Sequence, residues 1–125
     1  MVIGLGANCG DRRKGVAEAI EWLRDRLSAV KASGIYETPP YGHTGTPYMN
    51  AVVIGVYTRS DSLGDFECEC KRYEIECGRD ELARSQNLVP IDIDIVIAGD
   101  KILRQADFNR SFFQIGYKQL RGEDF

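Results

Sequence analysis

Two aspartates, Asp92 and Asp94, alternate with isoleucines in the segment Pro90-Ile-Asp-Ile-Asp-Ile-Val-Ile-Ala98. Isoleucine fills every second position from 91 to 97, which is the period of a β-strand with one apolar face. The β-branched residues also disfavour a helix. The opposite face therefore carries both carboxylates, about 6.6 Å apart at a rise of roughly 3.3 Å per residue.

Two carboxylates at this spacing repel each other unless water or a cation lies between them. Hard divalent cations such as Mg²⁺ bind carboxylate oxygens, and they commonly keep water or substrate phosphates as further ligands. The Asp-x-Asp pattern therefore has two interpretations. It is either a metal and phosphate site or a half-buried strand that shows polar side chains to water, and the pair alone does not decide.

The elements that must position these carboxylates follow from the hydrophobic periods of the chain. Residues 1–5 predict a short strand, and the following turn ends at Asp11, which can cap a helix. Strands are also predicted over 30–36 and 49–57, on either side of an irregular segment over 38–47 that proline and glycine interrupt. Between the first two strands lies one helical stripe of apolar residues, at Val16, Ile20, Leu23 and Leu27.

The second half of the chain predicts another helix and then the Asp92 strand. Ser60-Asp-Ser62 offers caps, Glu67 and Lys71 are spaced for an i, i+4 ion pair, and Gly78 ends the helix. Residues 79–89 have no period and are predicted to be a loop. The chain beyond Asp107 is weakly helical. The apolar stripe of this second helix is Leu63, Phe66, Cys70, Tyr73 and Cys77.

This order of strand, helix, two strands, helix and strand is typical of the ferredoxin-like βαββαβ fold, an α+β two-layer sandwich. Both helices are expected on one face of an antiparallel sheet, which leaves the other face open to a ligand. A length of 125 residues predicts a single domain over 1–125. The fold by itself does not predict a function, because it serves many unrelated proteins.

Composition excludes several functional classes. The net charge of −3 and the pI near 5.2 argue against a nucleic-acid binder. No apolar run is long enough to span a bilayer, and no signal-peptide pattern opens the sequence, so we expect a cytoplasmic protein without membrane contact. The cysteines are expected to be reduced thiols, with Cys70 and Cys77 buried. Cys68 and Cys70 point about 200° apart on the predicted helix, which disfavours a shared zinc ion.

Six short segments resemble the 6-hydroxymethyl-7,8-dihydropterin pyrophosphokinase family. They are distributed over nearly the whole chain, in the same order as in the family and with nearly the same spacing. They are Gly4-Leu-Gly-Ala-Asn-Cys-Gly-Asp11, Tyr36-Glu-Thr-Pro-Pro40, Pro47-Tyr-Met-Asn50, Glu74-Ile-Glu-Cys-Gly-Arg79, Pro90-Ile-Asp-Ile-Asp-Ile95 and Arg110-Ser-Phe112.

The resemblance implies a diphosphotransferase of folate biosynthesis. Members of the family transfer the terminal diphosphate of ATP to the hydroxymethyl group of a reduced pterin and release AMP. By resemblance, Asp92 and Asp94 would hold two Mg²⁺ ions that bridge the ATP phosphates. Such transfers depend mainly on positioning and charge neutralisation, which paired metals supply. The sequence contains no Gly-x4-Gly-Lys-Ser/Thr loop that could cradle the phosphates instead.

The resemblance also implies a pterin slot. The pterin would lie between the rings of Tyr48 and Phe112, because a flat heteroaromatic gains from stacking on each face. Asn50 would bind the pterin edge, since an amide is both donor and acceptor. Thr38 and Pro40 would line the slot with backbone groups. The alternatives are core packing for Phe112 and a bond to its own backbone for Asn50.

For the nucleotide, the resemblance implies Glu74, Arg79 and Arg110, which could otherwise be solvated surface charges. The single histidine, His43, does not fall on the family's histidine position and is expected in an exposed loop. The family usually has basic or aromatic residues before the Asp-x-Asp strand, at places where this chain has Glu81, Gln86 and Val89. The basic phosphate clamp is therefore reduced, and we expect Arg79, Arg84 and Arg110 to form it as the 79–89 loop closes over ATP.

Three functions are compatible with this sequence. The first is a working pyrophosphokinase with an atypical clamp, and the second is a pterin- or nucleotide-binding paralogue with little turnover. The third is a ferredoxin-like regulatory or interaction domain without ligand chemistry. Arg84 or Arg104 directed into the site would favour the first. An aromatic pair buried in core packing would leave only the third. The sequence gives no oligomeric state.

Overall fold

The structure is a computed structural model that describes residues 1–40 and 45–122. Its strands are β1 Val2–Ala7, β2 Ser28–Ala32, β3 Tyr36–Thr38, β4 Tyr48–Val56, β5 Asp92–Ala98 and β6 Lys101–Ile102. Its helices are α1 Arg12–Arg24, α2 Leu63–Glu76, α3 Glu81–Ser85, α4 Gln105–Phe108 and α5 Ser111–Arg121.

These strands form one antiparallel sheet in the order β2-β4-β1-β5-β6, and β3 also pairs with β4. The α+β class and the ferredoxin-like arrangement predicted from the sequence are confirmed. Helices α1 and α2 pack on one face of the sheet, over the side chains of β1, β4 and β5 that point the same way as Leu5. This face carries the larger hydrophobic core.

Local capping explains where the two long helices begin. The side chain of Asp11 accepts a hydrogen bond from Lys14 N at 3.2 Å. Ser62 and Asp65 form a reciprocal capping box at the start of α2. Both starts were expected from the sequence. Cys70 is buried as expected, whereas Cys77 is exposed because it caps the end of α2 outside the core.

Two predicted segments differ from the structure. The strand predicted over 30–36 is two strands. After β2, Ser33 N still donates to Val52 O at 2.9 Å, but Val52 N donates to the Ser33 hydroxyl at 2.8 Å in place of a backbone carbonyl, so the regular ladder is interrupted. The loop predicted over 79–89 contains the short helix α3, which Asp80 caps by accepting from Ala83 N at 2.8 Å. Five residues are too few to give a readable hydrophobic period.

The second face of the sheet is only half open, so the expectation that it would be left free is wrong for one end. Helix α5 packs there, and its Phe113 joins Val2, Val52 and Val96 in a second, smaller core. These valines make that end of the face apolar, and burying them stabilises the fold. The other end of the same face remains open and forms the candidate site.

Candidate active site

The open end of the sheet is built from two rows of residues in register across β4, β1 and β5. Asn50, Gly6 and Asp92 form one row, since Gly6 pairs with both neighbours. Val52, Gly4 and Asp94 form the next row. Directly paired residues share a face of the sheet. The register therefore places both aspartates on the same face as Asn50.

Gly4 and Gly6 keep this face hollow. A Cβ at Gly6 would lie 3.4 Å from Asn50 Oδ1 and 3.5 Å from Tyr48 Cδ2, and one at Gly4 would lie 3.5 Å from Phe113 Cδ1. Neither position is sterically forbidden to a larger residue, but any side chain there would fill the space between β4 and β5. The glycines thus form the floor of a cavity.

That cavity has a volume of about 250 Å³. The sequence-predicted residues in its wall are Thr38, Tyr48, Asn50, Asp92, Asp94 and Phe112, which come from four separate elements. Pro39 lines it where Pro40 was expected, and Arg104, Asp107 and Phe113 line it as well. Tyr48 and Phe112 lie in the cavity wall and are half-buried, so neither ring is fully buried in a core.

Asn50 is fixed mainly by the neighbouring strand β3, and its Nδ2 makes only a longer contact of 3.5 Å to its own strand, at Tyr48 O. Its Nδ2 donates to Thr38 Oγ1 at 2.6 Å, and both residues are buried. Burial, and then the charge of Asp92, raises the pKa of Tyr48, so its phenol stays neutral. The wall thus presents an oriented amide next to an aromatic ring.

Phe112 reaches the cavity because α5 is tied to β3. The hydroxyl of Tyr36 donates to Phe112 O at 2.5 Å and accepts from Gly116 N at 3.1 Å. Gly116 is required for this approach, since a Cβ there would lie 2.7 Å from Val52 Cγ2 and 2.9 Å from the Tyr36 hydroxyl. The docking of α5 therefore sets the position of one cavity wall.

Three cations surround the two aspartates. Arg79 Nη1 lies 2.6 Å from Asp92 Oδ1, and Arg104 Nε lies 3.8 Å from Asp94 Oδ1. Lys71 Nζ lies 3.3 Å from Asp94 Oδ1 and 3.8 Å from Asp92 Oδ1. The i, i+4 ion pair expected between Glu67 and Lys71 does not form in the described part of the chain, because Lys71 pairs with Glu74 and the two aspartates instead.

Glu74 organises this cluster from below. It is 1% exposed and accepts from Arg79 Nη1 at 2.8 Å, Lys71 Nζ at 2.9 Å and Ile93 N at 2.8 Å. Lys71 also donates to Ile93 O at 3.0 Å. Because β6 pairs only with the far end of β5, the Glu74 and Lys71 side chains satisfy backbone groups of Ile93 at an edge that no strand of the described residues covers.

The two aspartates differ in pKa. Burial, followed by the adjacent charge of Asp92, raises the pKa of Asp94 to about 7. Burial would also raise the pKa of Asp92, but the hydrogen bond from Asp94 and the charges of Arg79 and Lys71 outweigh it, so that pKa is lowered. Such a pair readily accepts a further positive charge.

A second cavity of about 160 Å³ adjoins the first, between α2 and β5. Lys71, Cys70, Ile93 and Ile95 line it, and Asp94 and Arg104 belong to the walls of both cavities. Asp94 and Arg104 therefore lie where the two cavities adjoin.

Five of the predicted residues line neither cavity. Arg84 on α3 and Arg110 at the start of α5 are exposed, and with Pro40 they line neither cavity. Glu74 and Arg79 lie behind the aspartates rather than in a cavity wall. His43 lies outside the described residues. Sequence reasoning missed Lys71, although its i, i+3 spacing from Glu74 could have placed both on one helix face.

Asp92 and Asp94 are the residues that could hold a divalent cation. Their side chains are 30% and 17% exposed, and they offer hard oxygen donors next to a cavity. Within residues 1–40 and 45–122 no cluster of three acidic, histidine or cysteine side chains has metal-site geometry. The donor set fits Mg²⁺ that takes its other ligands from phosphate and water.

Comparison with known proteins agrees with this geometry. A family model described as 7,8-dihydro-6-hydroxymethylpterin-pyrophosphokinase (HPPK) matches residues 2–121. The chain belongs to this family. The resemblance read from the six sequence segments is thus confirmed.

Several HPPK-related proteins are similar to this chain. The 2-amino-4-hydroxy-6-hydroxymethyldihydropteridine pyrophosphokinase of Aquifex aeolicus is 32% identical over 102 residues, which cover 82% of this chain and 62% of the relative. The protein of the same name from Porphyromonas gingivalis W83 is 34% identical over 100 residues, 76% of this chain and 66% of the relative. A folate synthesis bifunctional protein of Arabidopsis thaliana is 34% identical over 103 residues, 79% of this chain and 20% of the relative.

This HPPK chain thus spans 62% of the Aquifex aeolicus protein and a fifth of the plant bifunctional protein. None of the helices within residues 1–40 and 45–122 has both the length and the apolar character needed to cross a membrane.

Proposed function

We propose that this chain transfers the terminal diphosphate of ATP to the hydroxymethyl group of a reduced pterin and releases AMP. The observation that carries the proposal is the pair of adjoining cavities whose common wall contains Asp94 and Arg104. A transfer reaction needs two substrates in contact at one charged point. Membership of the HPPK family and the names of the relatives support this choice of substrates.

The pterin is assigned to the first cavity. Tyr48 and Phe112 provide aromatic surface for a flat ring, and Asn50 provides an amide held in place by Thr38. A buried amide discriminates strongly between ligands, because a mismatched edge leaves polar groups unpaired. The backbone next to Pro39 takes the role that the sequence assigned to Pro40.

The nucleotide is assigned to the second cavity, with its phosphates at the Asp94 end. Asp92 and Asp94 would hold Mg²⁺, two ions by family resemblance, which supplies charge neutralisation and orientation for the phosphates. Glu74 keeps Arg79 and Lys71 aligned with these carboxylates. Leu103 lines this cavity and is 44% exposed, so it offers apolar surface for the base.

The negative charge on the diphosphate during transfer must be stabilised by donors that are fixed in position. Arg104 faces both cavities and is the cation best placed to neutralise this charge. An Arg104 directed into the site is also what the sequence led us to expect of a working pyrophosphokinase. Arg79 is bound to Asp92 and Arg104 to Asp107, but of the two only Arg104 lines the cavities. Arg84 and Arg110 can contribute only if α3 and the start of α5 approach the bound nucleotide, as the closing-loop hypothesis requires. Both substrates are small molecules, and a cytoplasmic location remains part of the proposal.

The decisive experiment measures AMP release from ATP and 6-hydroxymethyl-7,8-dihydropterin in the presence of Mg²⁺. We expect pterin-dependent AMP from the parent protein, and a loss of at least a hundredfold in rate for Arg104→Ala, since removing one such donor costs about 2.7–4 kcal/mol. Arg84→Ala is the matched arginine control, and an equal loss there would support loop closure.

Two results would contradict the proposal. Pterin binding without AMP release by the parent would identify a binding-only paralogue. Full activity in an Asp92→Asn, Asp94→Asn double variant would show that the carboxylates are not part of the site.

A further inference from the structure

Lys71 lies between the two aspartates and the second cavity. Its Nζ is within 4 Å of Asp92 Oδ1 and Asp94 Oδ1, at 3.8 and 3.3 Å. Among the cations in the described ranges, Arg79 is paired with only the first of these aspartates and Arg104 with only the second. Lys71 is therefore the cation that lies close to both aspartates. A divalent cation bound by both carboxylates would occupy the same region.

A purely structural role accounts for part of these contacts. Lys71 bonds Glu74 and Ile93 O, and so helps to cover the free edge of β5. Glu74, however, keeps two other partners, Arg79 Nη1 and Ile93 N, each at 2.8 Å. The edge and the buried carboxylate do not depend on Lys71 alone.

The exposure of Lys71 points to a ligand. Its side chain is 47% exposed and lines the second cavity, whereas Arg79 is 19% exposed and lines neither. An ammonium group on a flexible four-carbon stem can change partners without backbone movement. If a divalent cation bound Asp92 and Asp94, it would replace the Lys71 ammonium as their partner. Lys71 would then face the second cavity, where the phosphates of a bound nucleotide would attract its positive charge.

We propose that Lys71 is the resident counter-ion of the Asp92–Asp94 pair and becomes a phosphate-binding residue when a divalent cation takes the carboxylates. This inference rests on the proposed function in placing nucleotide phosphates at the Asp94 end of the second cavity. In the free protein, Lys71 competes with the metal. In the ternary complex, it binds the nucleotide together with the metal.

The test measures two equilibria in Lys71→Gln. Mn²⁺ alone is titrated and followed by the electron paramagnetic resonance signal of the free ion, and Mg²⁺ with α,β-methylene ATP is titrated by calorimetry. We expect Mn²⁺ to bind about tenfold more tightly to the variant, and the nucleotide about tenfold more weakly, as for a half-exposed ion pair with several partners. Glutamine keeps one hydrogen-bond donor, so the fold should persist, and circular dichroism checks this.

Lys31→Gln is the matched control. It makes the same change in charge on the exposed edge strand β2, which β4 and β1 separate from β5. We expect neither affinity to change in that variant. A change of equal size in both variants would mean that net charge, and not the position of Lys71, is responsible, and would overturn the inference.

The two affinities must change in opposite directions. If Lys71→Gln binds Mn²⁺ more tightly but the nucleotide no more weakly, Lys71 is a counter-ion only. If it binds the nucleotide more weakly but Mn²⁺ no more tightly, Lys71 does not compete with the metal. Either result overturns the proposed exchange of partners. If the parent binds the nucleotide but releases no AMP, the proposed function fails while this inference is still decided by Lys71→Gln. A parent that binds no nucleotide would overturn both.

Discussion

Asn50 shows how one buried amide can define a ligand pocket at the scale of the residue. It is 4% exposed, its Nδ2 is held by the Thr38 hydroxyl, and it lies in the same sheet row as Asp92. Its orientation is therefore set before any ligand arrives. Preorganised polar groups of this kind contribute specificity more than contact area.

Replacing Asn50 should harm pterin binding more than removing the hydroxyl of Tyr48. We expect Asn50→Ala to weaken binding of 6-hydroxymethylpterin by about 1–3 kcal/mol, because polar edges of the buried ligand lose their partner. Tyr48→Phe keeps the ring face and should change affinity by less than about 0.5 kcal/mol, whereas Tyr48→Ala should lose the stacking contribution of about 0.5–1.5 kcal/mol and the buried area. Calorimetry measures all three. Parent-like affinity in Asn50→Ala would move the pocket elsewhere.

At the scale of the element, helix α5 has two functions. It covers the apolar end of the sheet through Phe113, and it presents Phe112 to the first cavity. Its close approach depends on Gly116, where the nearest atoms belong to Val52, Tyr36 and Ser33. Stability and the wall of the first cavity, where we propose that the pterin binds, are therefore coupled through one helix.

Gly116→Ala should loosen α5. The added methyl group would overlap Val52 and the Tyr36 hydroxyl, so we expect a loss of about 1–3 kcal/mol in the free energy of unfolding, together with weaker pterin binding. Gly64→Ala in α2 is the matched control, because its Cβ would meet only Ser62 Oγ at 3.7 Å, and it should be neutral or slightly stabilising. Urea unfolding and pterin titration measure both effects. Weakened binding in Gly64→Ala, or an unaffected Gly116→Ala, would contradict the role of α5.

At the scale of the whole molecule, several phenol and thiol groups are kept neutral by the fold. Burial raises the pKa values of Tyr36, Cys70 and Tyr73 to about 12 each. An acid whose pKa is higher in the folded state binds more protons there than in the unfolded chain between the two pKa values. The stability that these groups contribute is therefore fully present at neutral pH. It falls as the pH rises above their usual pKa values, about 8.5 for a cysteine and about 10 for a tyrosine.

Tyr36→Phe isolates one part of this alkaline loss. At pH 8 the variant should be less stable than the parent by about 1 kcal/mol, because the bonds to Phe112 O and Gly116 N are lost. Between pH 8 and pH 11 that difference should shrink by about 1 kcal/mol, since only the parent loses the contribution of Tyr36. Urea unfolding at both pH values measures the difference. A constant difference would show that Tyr36 titrates alike in both states.

The sequence by itself determined the local features of this protein. The alternation of Ile93 and Asp94 fixes a one-sided strand, Asp11 and Ser62 fix helix starts, and six segments identify the family. Each of these depends on interactions within a few residues, or on a pattern of residue types along the chain. The metal-binding carboxylates and the aromatic slot were predicted from them, and their roles remain predictions.

Only the tertiary structure decided which distant side chains share a wall. Strand register places Gly6 between Asn50 and Asp92, and the rotation of α2 brings Lys71 to the aspartates of β5. The packing of α5 decides that half of the second sheet face is covered. Register and helix rotation depend on how whole elements bury their apolar faces against one another, which no short stretch of sequence specifies.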